Sequence, residues 1–171
     1  AVGSNRYRIA YKGPGGHSYG AFGMPNPIHA MGRAIAKMSE FTVPDDPRTT
    51  FSASVVSGGT SVNSIPYEGI VEVDMRSESA ASLAELDAKF QAAIRDALRE
   101  EIARWPNSRV PLTMVIDTIG IRPAGSQPDS ARIVRVAVET GRVLGFPVTP
   151  SASSTDANVP IGLGIPAITL D

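Results

Sequence analysis

Along residues 6–12, "RYRIAYK", Tyr7, Ile9 and Tyr11 alternate with Arg6, Arg8 and Lys12. A period of two is that of a half-buried strand. A glycine-rich stretch, Gly13 to Gly23, interrupts the pattern before Asn26-Pro27. Asn as cap and Pro in the first turn open a helix, and Ile28, Met31, Ile35 and Met38 fall on one of its faces. "TVPDDP" ends it. Phe51 to Ser57 reads as a second strand, "SGGTSVNSIP" as a long turn, and Gly69 to Arg76 as a third strand. That strand sets Ile70, Glu72, Asp74 and Arg76 on one face and Val71, Val73 and Met75 on the other. Ser82-Leu83-Ala84-Glu85 has the form of a capping box. Leu83, Leu86, Phe90, Ile94, Ala97, Leu98 and Ile102 then recur at helical spacing up to Trp105-Pro106-Asn107. Pro111 to Asp117 is a fourth strand.

The order strand, helix, strand, strand, helix, strand is the split βαβ (βαββαβ) pattern. It predicts an α+β unit with one four-stranded antiparallel sheet and two helices on one face. Residues 1–118 are assigned to it. The proline-containing "IRPAGSQPDS" marks a boundary. Residues 119–171 then read as an α/β remnant. It comprises a helix from Ser130 to Leu144 capped by Asp129 or Ser130, a short strand around Val148, a weak helical turn and a final apolar strand. Its remaining sheet lies outside the chain.

Composition narrows the function classes. The chain has 171 residues, 42% of them hydrophobic, enough for a packed core. Lys+Arg 16 against Asp+Glu 17 leaves a net charge of -1, with no basic excess for nucleic acid and no cationic helix for a membrane. With no cysteine, disulfides and thiolate metal sites are excluded. There is no signal segment or spanning apolar run, which sets the expectation of a cytoplasmic protein. Both ends read as cut, so a piece of a longer polypeptide is expected.

"GPGGHSYG", Gly13 to Gly20, contains G-x-S-x-G, the pattern of a nucleophile elbow. An elbow needs a strand running into the serine and a helix starting at it. Here Lys12-Gly13-Pro14-Gly15 separates strand from motif, and "AFGMPNP" cannot continue as a helix. The only histidines are His17 and His29, with no acid between Ser18 and His29, so a triad finds no members. A phosphate loop fails too, because the glycines lack a G-K-[ST] ending. Ser18 is expected to bond local backbone.

"RYRIAYKGPGGHSYGAFGMPNPIHAMGRAI" resembles the lid, or dimerisation, domain of the dinuclear zinc exopeptidases. These include aminoacylase, acetylornithine deacetylase, succinyl-diaminopimelate desuccinylase and glutamate carboxypeptidase. Three further stretches match in order. "GGTSVNSIP" resembles the family's G-x-x-x-N-x-I-P turn and "VEVDMRS" its D-x-R strand. "SSTDANVPIGLGIPAITL" resembles the loop and strand that return to the catalytic domain. The resemblance implies a lid at 1–118 and a catalytic-domain fragment at 119–171. It implies two zinc ions in the intact enzyme, where a metal-bound water attacks an amide and a glutamate acts as base. The family's H-x-D, Glu-Glu pair and last histidine are all missing, so no metal is expected in this chain.

The resemblance also assigns residues. His17 would cross a homodimer interface and donate to the oxyanion in the partner's site. Asn63 would donate to the substrate's acyl or carboxylate group, though it could equally cap a turn. Arg76 would hold a substrate carboxylate through its fork, or merely pair with Asp74 on the same strand face. Asp156 and Asn158 would line the cleft, or cap the turn before Pro160. His29 reads as a partly exposed helix residue. The implied function is the dimerising lid of a zinc-dependent amidohydrolase or exopeptidase, acting on N-acyl amino acids or short peptides. The alternative is a stand-alone small-molecule sensor or oligomerisation module of ferredoxin-like architecture, since fold does not fix function.

Overall fold

The computed structural model describes residues 1–146 and 148–170. In chain order the elements are β1 (Gly3–Lys12), β2 (Gly16–His17), α1 (Pro27–Ser39), β3 (Thr49–Gly58), β4 (Ser64–Ile65), β5 (Glu68–Ser77), α2 (Ala80–Ala103), β6 (Thr113–Arg122), α3 (Arg132–Leu144) and α4 (Asn158–Gly162). Four long strands form an antiparallel sheet in the order β3–β5–β1–β6. The α+β, split βαβ architecture read from the sequence is the one observed.

The alternation in β1 does what its period predicts. Tyr7, Ile9 and Tyr11 are buried, opposite Val73, Val71 and Gly69 of β5. On this face lie Met31, Ala34 and Met38 of α1 and Leu86, Phe90 and Ile94 of α2. Phe90 is fully enclosed and stacks on Tyr7 at 5.5 Å between ring centroids. Burying each such side chain contributes about 1.5–3 kcal/mol. The Tyr11 hydroxyl donates to the Ile94 carbonyl at 2.9 Å, tying β1 to α2, and burial raises its pKa above the ordinary tyrosine value. Burial first, and then a hydrogen bond with Asp87, push Tyr7 up to about 12.

Helix α1 starts where the sequence places it. The Asn26 side chain accepts the N–H groups of Ile28 and His29, and Pro27 occupies the first turn. A Cβ at Gly69 would stand 2.9 Å from the Pro27 carbonyl oxygen, so this first turn lies directly on the β5 backbone. Helix α2 starts earlier than the Ser82–Glu85 capping box implies. Ser79 is its cap, accepting the Ser82 N–H, and Glu85 instead pairs with Lys89 one turn on. Ala80 and Ala81, strong helix formers, extend the helix back to that serine.

Strand β6 continues past Asp117 to Arg122 through an irregularity opposite Arg6/Tyr7 that skips Ile119, so residues 120–122 pair in the main sheet. Beyond it, α3 begins at Arg132 with Ala131 at its cap and no side-chain cap bond, not at the expected Asp129 or Ser130. The expected strand around Val148 and the final strand do not form: 148–150 and 165–170 are irregular. A strand needs a neighbour for its N–H and C=O groups, and the described tail offers none. One side chain partly substitutes, since Gln127 exchanges two amide hydrogen bonds with Ala167 at 2.6 and 2.9 Å. Ties from Val2 N to Ser153 O and from Gly125 N to Ala1 O fasten the tail beside the start of β1. Among the described residues, no helix is long and apolar enough to cross a membrane.

Candidate functional site

The glycine loop that leaves β1 is held by three backbone contacts. Gly13 N–H donates to Tyr67 O at 2.9 Å. Gly16 and His17 pair with Ile65 and Ser64 in the short β2–β4 ladder. Ser18 N–H donates to Asn63 O at 2.9 Å. Gly15 lies at φ 68° under the Tyr67 ring, where a Cβ would come within 2.8 Å of that ring. At Gly16 a Cβ would meet the Ala21 methyl at 2.8 Å. The glycines therefore allow the loop to fold tightly against the Asn63 turn.

His17 is exposed, and its ring is anchored by its own turn. Nδ1 accepts the N–H groups of Tyr19 and Gly20 at 3.3 Å each, while its carbonyl accepts Ala21 N–H at 2.8 Å. An acceptor Nδ1 places the proton of the neutral ring on Nε2. His17 thus presents a single outward N–H donor. Asn63 lies beside it. Its Oδ1 accepts the Ser61 hydroxyl at 2.5 Å, and its Nδ2 makes no hydrogen bond among the described residues. The pair offers two donors and no base. The Ser18 hydroxyl makes no hydrogen bond among the described residues. The expected bond to local backbone does not form among the described residues; the Ser18 backbone N–H reaches Asn63 on the opposite turn instead.

Arg76 stands at the other end of β5. Its Nε donates to Asp74 Oδ2 at 2.6 Å, and Arg6 Nε on β1 donates to Oδ1 at 2.8 Å. Burial pulls the Asp74 carboxyl up, but the hydrogen bonds and charges of Arg76 and Arg6 outweigh it and hold the carboxyl below the ordinary value. With both Nε atoms on Asp74, the terminal nitrogens of the Arg6 and Arg76 guanidiniums make no hydrogen bond among the described residues and can meet an anion. Arg122 of β6 lies in the Arg76 row, both opposite Ser4, and its guanidinium is 3.6 Å from the exposed Asp156. Asn158 is fully buried. Its Oδ1 accepts Thr155 N–H, and its Nδ2 donates to Val2 O and Pro123 O. That amide is a tie between tail and sheet, with no group turned to a ligand.

The sequence-derived candidates therefore fall into two groups. His17 and Asn63 share one end of the sheet, while Arg76 and Asp156 share the other. Arg76 lies eight steps along β5 from Glu68, about 26 Å at the usual strand rise. A substrate the size of an amino-acid conjugate cannot bridge them within one chain. Two residues escaped the sequence reading. Arg6 is visible only once the β1–β5 register is known, and Glu101 lies among charged residues of α2 that carry no local signal of its burial. His29 is mostly exposed, as expected, with Nδ1 3.9 Å from Glu101 Oε1. Among the described residues, no three His, Asp or Glu side chains converge as a metal site would require.

Residues 1–102 match the family model of the peptidase dimerisation domain. No curated protein matches the chain. Among solved structures, it is similar to an aminobenzoyl-glutamate utilization protein from Klebsiella pneumoniae, at TM-score 0.73 and 18% identity, over 92% of this chain and 39% of that one. It is also similar to aminopeptidase PepT from Bacillus cereus, at TM-score 0.70 and 20% identity, over 96% and 42%. A hydantoinase/carbamoylase-family amidase from Burkholderia vietnamiensis gives TM-score 0.67 and 17% identity, over 86% and 34%. At these identities the likeness is one of fold. The chain spans less than half the length of each of these neighbours.

Proposed function

The chain belongs to the peptidase dimerisation domain family, and from that premise we propose that it is the dimerising lid of a hydrolase that cleaves amide bonds in N-acyl amino acids or short peptides. The observation that carries this reading is the anchored ring of the exposed His17, whose Nδ1 is engaged by two backbone N–H groups, which leaves Nε2 as the nitrogen available to donate. A fixed donor is what a developing oxyanion needs, because it does not have to reorganise during the reaction. Asn63 Nδ2 adds a second donor for the acyl or carboxylate oxygen. Arg76, with Asp74 orienting its Nε, receives a substrate carboxylate. The span between the two groups supports a homodimer in which His17 and Asn63 of one subunit serve the site of the other. Peptidases and amidases among the structural neighbours support the reaction class.

The two zinc ions that the resemblance implies do not fit this chain. The Nδ1 of His17 is occupied and His29 sits on a separate element beside Glu101. Ligands would come from a catalytic half outside residues 1–171, and this chain's own part is binding and charge stabilisation. The test is His17→Ala in the enzyme formed with that half. We expect kcat to fall about a hundredfold or more, with zinc content unchanged and KM altered less than kcat. Unchanged kcat would overturn the assignment.

A further inference from the structure

Glu101 is the one charged side chain fully buried among the described residues. A carboxylate in that position requires a full set of donors, and it has them. Oε1 accepts the Asn26 backbone N–H at 3.0 Å and Trp105 Nε1–H at 3.1 Å, while Oε2 accepts Arg33 Nε–H at 3.0 Å. Two of these donors bear on the His17 loop. Asn26 is its last residue and the cap of α1. Trp105 carries the Phe22 ring edge-to-face at 5.4 Å and has the Arg104 guanidinium 4.6 Å from its ring centroid. Phe22 N–H in turn donates to the Tyr19 carbonyl at 3.4 Å, inside the turn whose amides hold the His17 ring.

We propose that Glu101 is a positioning residue for His17, acting from the end of α2 through two anchors on the loop, the Asn26 amide and the Trp105–Phe22 contact. The arrangement has a physical logic. A loop rich in glycine has high conformational entropy, and its own ladder with β4 is only two residues long. An anchor outside the loop, on a long helix packed into the core, limits the positions the turn can sample. A carboxylate suits the task, since one oxygen can accept two donors while the other neutralises Arg33. Only the catalytic meaning of the placement rests on the reading of His17 as an oxyanion donor; the placement itself is measured without catalysis.

The experiment uses the 171-residue chain. Glu101→Ala, Glu101→Gln and Phe22→Ala are compared with the exposed neighbour Glu100→Ala. The readouts are amide exchange at Ser18 and Ala21, the imidazole 15N shifts of His17, and circular dichroism for the fold. Glu101→Ala and Phe22→Ala are expected to speed exchange at both amides about tenfold or more. They should also move the His17 ring shifts toward those of free histidine. Glu101→Gln keeps an oxygen acceptor for Asn26 and Trp105, so it should stay near the unmodified protein, as should Glu100→Ala. Should Glu101→Ala fail to fold, Phe22→Ala decides, because Phe22 is mostly exposed and its loss spares the core. Unchanged His17 shifts and unchanged exchange in folded Phe22→Ala or Glu101→Ala would overturn the proposal. An inactive His17 in a separate kinetic test would leave it standing and remove only its catalytic meaning.

Discussion

His17 stands opposite Ser64 in the ladder between β2 and β4, and this pairing brings the Asn63 carbonyl onto the Ser18 amide at 2.9 Å. The contact is made by backbone alone; the Asn63 Oδ1 is held by the Ser61 hydroxyl, and its Nδ2, without a partner among the described residues, is not needed for the loop. Asn63→Ala should therefore leave the His17 ring shifts and the melting temperature unchanged. In the proposed enzyme it should lower kcat/KM by about tenfold, as loss of one polar contact to substrate does. A collapsed loop in Asn63→Ala would show that the side chain is structural.

β3 is an edge strand beside α1, and from Ser54 to Gly58 it is exposed, with Val55 and Val56 about half accessible. Such an edge has N–H and C=O groups to satisfy, and a twofold copy can pair with it. Sedimentation of the 171-residue chain should give a dimer, and Val56→Lys should give a folded monomer. A dimer that survives Val56→Lys would place the seam elsewhere.

Acid stability gives a third test. Asp74 has a folded pKa below its ordinary 3.8, so the folded state favours the deprotonated form more than the unfolded chain does. Its contribution is present above about pH 4 and is lost as pH falls through the depressed folded value. Urea midpoints measured from about pH 6 to about pH 3 should fall less steeply in Asp74→Asn than in the unmodified protein. Equal slopes would remove Asp74 from the acid response.

Elements with a strict local signal were legible before the structure. β1 and β5 declared themselves by alternation, and α1 by Asn26-Pro27. β6 was read short because its pairing shifts register near Ile119, where inside and outside stop alternating. The start of α2 was misplaced by one turn because Ser79 and Ser82 both have capping chemistry, and only geometry selects between them. The tail strands failed for a different reason. Apolar runs such as residues 165–170 specify a strand only where a neighbouring strand exists. In the site, the residue types of His17, Asn63 and Arg76 could be picked out, but not their grouping. That grouping depends on a two-residue ladder and on the length of β5. Asn158, chosen for its place in a polar loop, proved to be committed to backbone partners on three sides.

In the proposed enzyme one subunit's His17 completes the other's site. The most direct measurement mixes two inactive variants of the proposed enzyme, one carrying His17→Ala and one lacking an essential residue of the catalytic half. After equal mixing and subunit exchange, half of the dimers are mixed and each holds one complete site. Activity should then return to about a quarter of the unmodified level. If mixed dimers form and no activity returns, His17 does not act across the interface.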